Sequence, residues 1–141
     1  MKKIWLLLLC LGLTGCATVS LSQGTAPNRE NLFRLSIGMD KAKVIEIMGS
    51  KSFDITFRKY VGVYGRAVNA SVTITNPYRS EILQGKDKTL EVVYYVTDDK
   101  NNDGAISDDE LTPLVFDNGK LIGWGWSFLQ DNVQRYELRI R

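Results

Sequence analysis

Three apolar rhythms divide this 141-residue chain. A solid apolar run from Ile4 to Leu13 comes first, a stretch of helical spacing follows between Asn28 and Gly49, and alternation of apolar and polar positions governs most of what lies after Ser50. In the helical zone, Leu32, Phe33 and Leu35 form a pattern that is interrupted at Gly38. Asp40 then stands where an N-cap belongs. Ala42, Val44, Ile45, Ile47 and Met48 supply a broad apolar face, and Gly49 supplies the stop. Two short helices are predicted.

In the alternating zone, Phe53, Ile55 and Phe57 interleave with polar residues, as do Val72 and Ile74 before the break at Asn76 and Pro77. Leu90 to Thr97 is denser: Leu90, Val92, Tyr94 and Val96 fall on one face and Val93 and Tyr95 on the other, the pattern of a central strand. Thr112–Asp117 and Lys120–Trp126 flank Asn118-Gly119, a strong hairpin signal, with Asp117 and Lys120 opposite in charge across it. Ser127 to Arg141 admits two readings: a closing helix through Phe128, Leu129, Val133 and Tyr136, or a terminal edge strand through Tyr136, Leu138 and Ile140. The fold expected is α+β, two N-terminal helices packed on an antiparallel sheet of three to five strands.

The N-terminal run has a different meaning. Lys2 and Lys3 precede it, and Leu13, Thr14, Gly15 and Cys16 close it. Ten residues cannot span a hydrocarbon core that takes about 20 in a helix, so residues 1–15 read as a processed leader. Cysteine at the cleavage point resembles the lipobox of bacterial lipoproteins, in which a diacylglycerol is attached to the cysteine and its freed amine is usually acylated, commonly with palmitate. Two or three acyl chains, at ~0.8 kcal/mol per buried CH2, anchor stably where one would exchange. Residues 16–27, rich in Ser, Thr, Gly and Ala, then read as a lipidated cysteine and flexible tether of about 20 Å. Residues 28–141 read as one domain. Ala17 rather than Asp after the cysteine resembles enterobacterial lipoproteins sorted to the outer membrane.

Removing the leader changes the charge balance. Of 18 basic residues two leave, so 16 face 16 acidic ones, and the mature chain is near neutral. That argues against a nucleic-acid partner and against broad electrostatic attraction to anionic headgroups. Cys10 leaves with the leader and Cys16 is consumed by lipid, so no disulfide is expected. With no histidine, no free cysteine, no Gly-x-Ser-x-Gly elbow and no phosphate-cradling loop, the chain reads as non-catalytic.

Two further features carry chemistry. Residues 99–110 satisfy the calcium-loop pattern of an EF-hand: Asp99, Asn101 and Asp103 offer side-chain oxygens, Ala105 its carbonyl, Ser107 a hydroxyl or water, and Glu110 a bidentate carboxylate. Gly104 makes the turn and Ile106 points inward. The alternative is a solvated acidic loop, because Leu90–Thr97 is strand-like and Pro113 forbids a following helix. Trp124 and Trp126 fall on one side of a strand, opposite Gly123 and Gly125, and are candidates for a partner surface or for core. Tyr78 and Arg79, in a polar segment from Asn76 to Glu81, are candidates for a docking loop.

Leu35, Gly38, Met39, Asp40, Val44, Ile47, Met48 and Gly49 together resemble the opening motif of the SmpA/OmlA (BamE-like) small outer-membrane lipoproteins, in particular an uncharacterised subgroup. The chain departs from that family in having Ser50 where proline is common and in an inserted segment at 63–86. The resemblance implies a BamE/BLIP-like α+β domain and envelope or barrel-assembly proteins as partners. The expected function is therefore a lipid-anchored, non-catalytic interaction role in envelope assembly or maintenance at the periplasmic face of the outer membrane. The alternative is a periplasmic module that binds Ca2+ through residues 99–110.

Overall fold

The computed structural model describes residues 20–101 and 103–140. The leader, Cys16 and the first tether residues, 17–19, lie outside them. Three helices, α1 (Leu21–Leu32), α2 (Lys41–Met48) and α3 (Trp126–Tyr136), accompany seven strands: β1 (Phe53–Val61), β2 (Arg66–Ile74), β3 (Arg79–Gln84), β4 (Thr89–Val96), β5 (Leu111–Asp117), β6 (Lys120–Trp124) and β7 (Arg139–Ile140). β1 and β2 form a two-stranded antiparallel ribbon, and the rest form a five-stranded sheet in the order β6-β5-β4-β3-β7. The class is α+β, as expected, but the helices are not all N-terminal and the strands make two sheets.

Each face of the larger sheet carries its own core. On one face Leu83, Leu90, Val92, Tyr94, Val96 and Val115 pack with Leu129 of α3, Leu21 of α1, and Ile55 and Ile74 at the base of the ribbon. On the other, Val93, Tyr95, Leu114, Phe116 and Leu121 pack under Val44 and Met48 of α2. β4 thus lies in the middle of the sheet and divides its side chains between the two cores as its alternation predicts. Burial raises the Tyr95 phenol to about 12, and its hydroxyl donates to the Gly49 carbonyl at the end of α2.

The Asn118-Gly119 hairpin forms, with both residues at positive φ. Asp117 and Lys120 do not pair with each other: Asp117 takes Lys88 and Lys120 takes Asp40, 2.8 Å away. Residues 38–41 lie along the outer edge of β6. Gly38 N–H donates to Leu121 O, Leu121 N–H to Met39 O, and Lys41 N–H to Gly119 O, each at 2.8 Å. Asp40 caps α2 by position only; its side chain makes no capping bond.

Three boundaries differ from expectation. α1 starts at Leu21, so residues 21–27 are helix rather than tether, started by a Ser20/Gln23 capping box and held by burial of Leu21, Thr25 and Asn28 on one face. Arg79, Ser80 and Glu81 lie in β3, not in a loop. Residues 127–140 realise both readings in turn: α3 is capped by Glu137 in a left-handed conformation, and β7 then pairs with the free edge of β3.

Candidate functional site

A cavity of about 430 Å³ opens between α3 and the sheet. Leu83, Leu129, Val133, Leu138 and Ile140 make an apolar wall, and Arg79, Glu81, Tyr94 and Asp108 gather at one end, with Trp126 beside them. The β3–β4 register sets Arg79 directly opposite Tyr94. The guanidinium lies 4.3 Å from the centre of the Tyr94 ring, an arrangement that favours a cation. The Trp126 ring stands 5.8 Å from that of Tyr94 and its Nε1 donates to Leu111 O at 2.8 Å.

The polar end is a linked chain of charges. Arg79 Nη2 meets Asp108 at 2.9 Å, and its Nε lies 3.3 Å from Glu81. Nε is nevertheless buried without an aligned hydrogen bond among the described residues. Tyr94 Oη donates to Glu81 at 2.8 Å. Burial, and then the Glu81 carboxylate, pushes the Tyr94 phenol well above its ordinary value. Burial works against the Arg79 charge, but Asp108 and Glu81 outweigh it and hold the cation. Neither group exchanges a proton near neutral pH.

Asp108 carries this site into residues 99–110. That loop is closed by Glu110, wholly buried, whose carboxylate accepts from the Lys100 and Ser107 amides at 2.9 Å each and from Ser107 Oγ at 3.1 Å. Asp103 accepts from the Ala105 amide, Gly104 adopts φ +79°, and Ile106 packs on the core. Asp98, Asp108 and Asp109 are paired with Arg29, Arg79 and Lys100. Asp99 Oδ1 is buried with no hydrogen-bond partner among the described residues. Glu110, the bidentate ligand of the expected calcium pattern, is thus engaged by backbone amides. No group of three or more acidic, histidine or cysteine residues placed to hold a metal occurs among the described residues. Asn101 is exposed.

Of the expected surface residues, the structure brings Arg79 and Trp126 to the cavity and separates Trp124 from both. Gly125, at φ +90°, turns the chain between β6 and α3, so Trp126 joins the α3-side core while Trp124 joins the α2-side core. Gly123 lies against the Phe128 ring, leaving no room for a Cβ. Tyr78 packs against the α3-side core. Sequence reasoning did not find Glu81, Tyr94 or Asp108 as neighbours of Arg79, because strand pairing and loop closure bring them together. It also missed Asn28, buried in α1, which donates to Val96 O at 2.8 Å and exchanges hydrogen bonds with Asn76.

A family model described as "Protein of unknown function (DUF3192)" matches residues 17–131, and the chain belongs to that family. This corrects the SmpA/OmlA resemblance: no model of that family matches, and the short helix–glycine motif around Gly38 and Gly49 does not carry membership. No curated protein and no solved structure matches the chain.

Proposed function

We propose that this protein is a lipid-anchored, non-catalytic lipoprotein of the bacterial envelope, held at the periplasmic face of the outer membrane through Cys16, and that it acts by binding other envelope components. The observation that carries the reading is the leader itself: Lys2 and Lys3, the short apolar run, and Leu13-Thr14-Gly15-Cys16. The family match beginning at Ala17, directly after that cysteine, agrees with a domain that starts where the leader ends. The cavity beneath α3 supports binding over catalysis, since its apolar wall and fixed charges offer recognition and its phenol and guanidinium keep their protons near neutral pH. With the SmpA/OmlA resemblance overturned, barrel assembly has no particular claim among envelope roles.

Intact mass of the protein recovered from membranes tests this. Loss of residues 1–15 and addition of acyl chains on Cys16, both abolished by Cys16→Ser, are expected. An unmodified full-length chain would overturn it.

A second reading rests on Asp99. Its Oδ1, buried and without a hydrogen-bond partner among the described residues, leaves an acceptor open in a loop of calcium-binding pattern. Calorimetric titration of Ca2+ into the protein, with Asp99→Ala as control, decides it: binding lost in the variant supports the site, and no heat removes it.

A further inference from the structure

The β1–β2 ribbon is packed from its base to about Phe57 on β1. Ile55 and Ile74 are buried, and Phe57 lies against Gly104. Beyond Phe57 the strands run out to a four-residue turn, Gly62 to Gly65, closed by a Gly65 N–H to Gly62 O bond of 3.2 Å. Gly62 and Gly65 take φ +78° and +62°, which lets the turn thrust its two central residues outward. Those residues are Val63, 97 % exposed, and Tyr64, 100 % exposed; Tyr60 is 68 % exposed. Val63 and Tyr64 are the most exposed large hydrophobic side chains among the described residues, and Tyr60 stands close to them in the chain.

The charges around them are of one sign. Arg58, Lys59 and Arg66 flank the turn, no acidic residue occurs from 58 to 66, and none of the three cations makes an ion pair among the described residues. In a mature chain whose basic and acidic residues balance overall, this is a local cationic collar beneath an aromatic and aliphatic tip. Tyrosine with arginine and lysine is the composition that settles at a bilayer's headgroup level, ring toward the acyl boundary and cation toward phosphate.

The placement of α1 points the same way. Pro27 and Asn31 border Ser50 and Lys51, Gly24 abuts Phe53, and the fully buried Leu21 shares the core of Ile55. The helix therefore runs down the ribbon away from the tip, and its N-terminal end faces tipward. From Gly24 back to Ser20 the rise is about 6 Å, and the four residues to Cys16 reach at most ~14 Å more. The ribbon from Phe53 to Val61 extends ~26 Å. Measured from Gly24 the cysteine reaches at most ~20 Å and Val61 stands ~26 Å out, so a bilayer plane that touches both lies oblique to the ribbon.

We propose that the ribbon tip, Arg58 to Arg66, is a membrane-contacting element that seats Val63 and Tyr64 in the headgroup region of a bilayer rich in anionic phospholipid, with Arg58, Lys59 and Arg66 against the lipid phosphates. It rests on the envelope-lipoprotein reading for its proximity to a bilayer. Two contacts, the anchor and the tip, then restrict the domain's orientation.

The test uses the full chain, purified from membranes in detergent and reconstituted into phosphatidylethanolamine–phosphatidylglycerol vesicles or into phosphatidylcholine vesicles. Tyr64→Trp adds a reporter whose emission is taken as the difference from the parent chain. The expected result is a blue-shifted extra emission, quenched by lipids brominated on the acyl chain in the anionic vesicles and several-fold less in the zwitterionic ones. Arg58→Gln/Lys59→Gln/Arg66→Gln, added to the reporter chain, should weaken tip insertion roughly 100-fold at low salt. Extra emission at the water-exposed wavelength, freely quenched by iodide in both vesicles, overturns the proposal, as does insertion indifferent to lipid charge. Shielding from iodide that requires added envelope protein assigns the tip to a protein partner and also overturns it. An unchanged circular dichroism spectrum excludes misfolding of the variants. Intact mass of the same preparation separates the two readings: a lipidated chain with a silent tip sinks this proposal alone, and an unlipidated chain whose tip inserts sinks the anchor alone.

Discussion

At the end of the β5–β6 hairpin, Asn118 and Gly119 turn beside the chain's own residues 38–41, which bond to Gly119 and Leu121 and bring Asp40 onto Lys120. At the end of the β1–β2 ribbon, Val63 and Tyr64 stand free in solvent. Both turns use positive-φ residues and both lie between antiparallel strands. The turn tied to residues 38–41 is polar and bears side chains of both charge signs, whereas the free one is apolar with cations alone. A tip that serves the fold is therefore chemically distinct from one left for something outside the molecule.

Truncation should give the widest separation between the two. Leu121→Ala, at a fully buried position on β6, is expected to cost about 2–5 kcal/mol in urea unfolding, while Val63→Ala should stay within about 0.5 kcal/mol. Comparable losses would break the contrast. Next in size is Glu110→Ala, which strips the part-buried Lys100 and Ser107 amides of their acceptor at up to about 1–3 kcal/mol for each orphaned group; a loss under 0.5 kcal/mol would mean that water replaces the carboxylate.

Smaller effects sharpen the comparison. Gly119→Ala and Gly62→Ala both force a side chain into positive φ, with no neighbour within 4 Å of the added Cβ. The intrinsic strain is about 1–2 kcal/mol in each. At Gly119 it should appear in global unfolding, and at Gly62 only as faster amide exchange in the ribbon tip, because the tip can fray without disturbing either core. The smallest effect is a matter of pH. The Ser107 hydroxyl, then Lys100, holds the Asp109 carboxyl below its ordinary 3.8. Its contribution is present above that value and fades as pH falls through the lower folded one. Ser107→Ala should move the Asp109 titration, followed by NMR, back toward 3.8; an unmoved titration would assign the shift to Lys100.

Legibility followed the range of the interactions. β4 could be assigned face by face because period-two alternation is local, and Asn118-Gly119 marked its hairpin for the same reason. α1 was hidden because Gly24 and Pro27 lower helix propensity; its start was nonetheless written in Ser20 and Gln23, the two halves of a capping box. β3 passed for a loop because Arg79, Ser80 and Glu81 follow the Asn76-Pro77 break and alternate too briefly to register. Trp124 and Trp126 were placed on one face because the strand was continued through Gly125, where the chain in fact turns into α3. The polar end of the cavity was beyond reach, since Arg79, Tyr94 and Asp108 meet only through a strand register and a closed loop. The ribbon tip is not singled out in the sequence, because Arg58 to Arg66 gains its meaning from the β1–β2 pairing and the exposure that pairing gives it.

The glycine at position 104 has a mechanical consequence. Because the Phe57 ring rests where its side chain would be, the ribbon is clamped partway along β1 by the loop that Glu110 locks. What extends beyond the clamp is a cantilever from Arg58 to Arg66, and its stiffness is set at the support rather than at the tip. Loosening residues 99–110 lengthens the free arm and lets its end swing. The acidic loop, some distance in sequence from the aromatic tip, thereby governs how firmly that tip can press on whatever it meets.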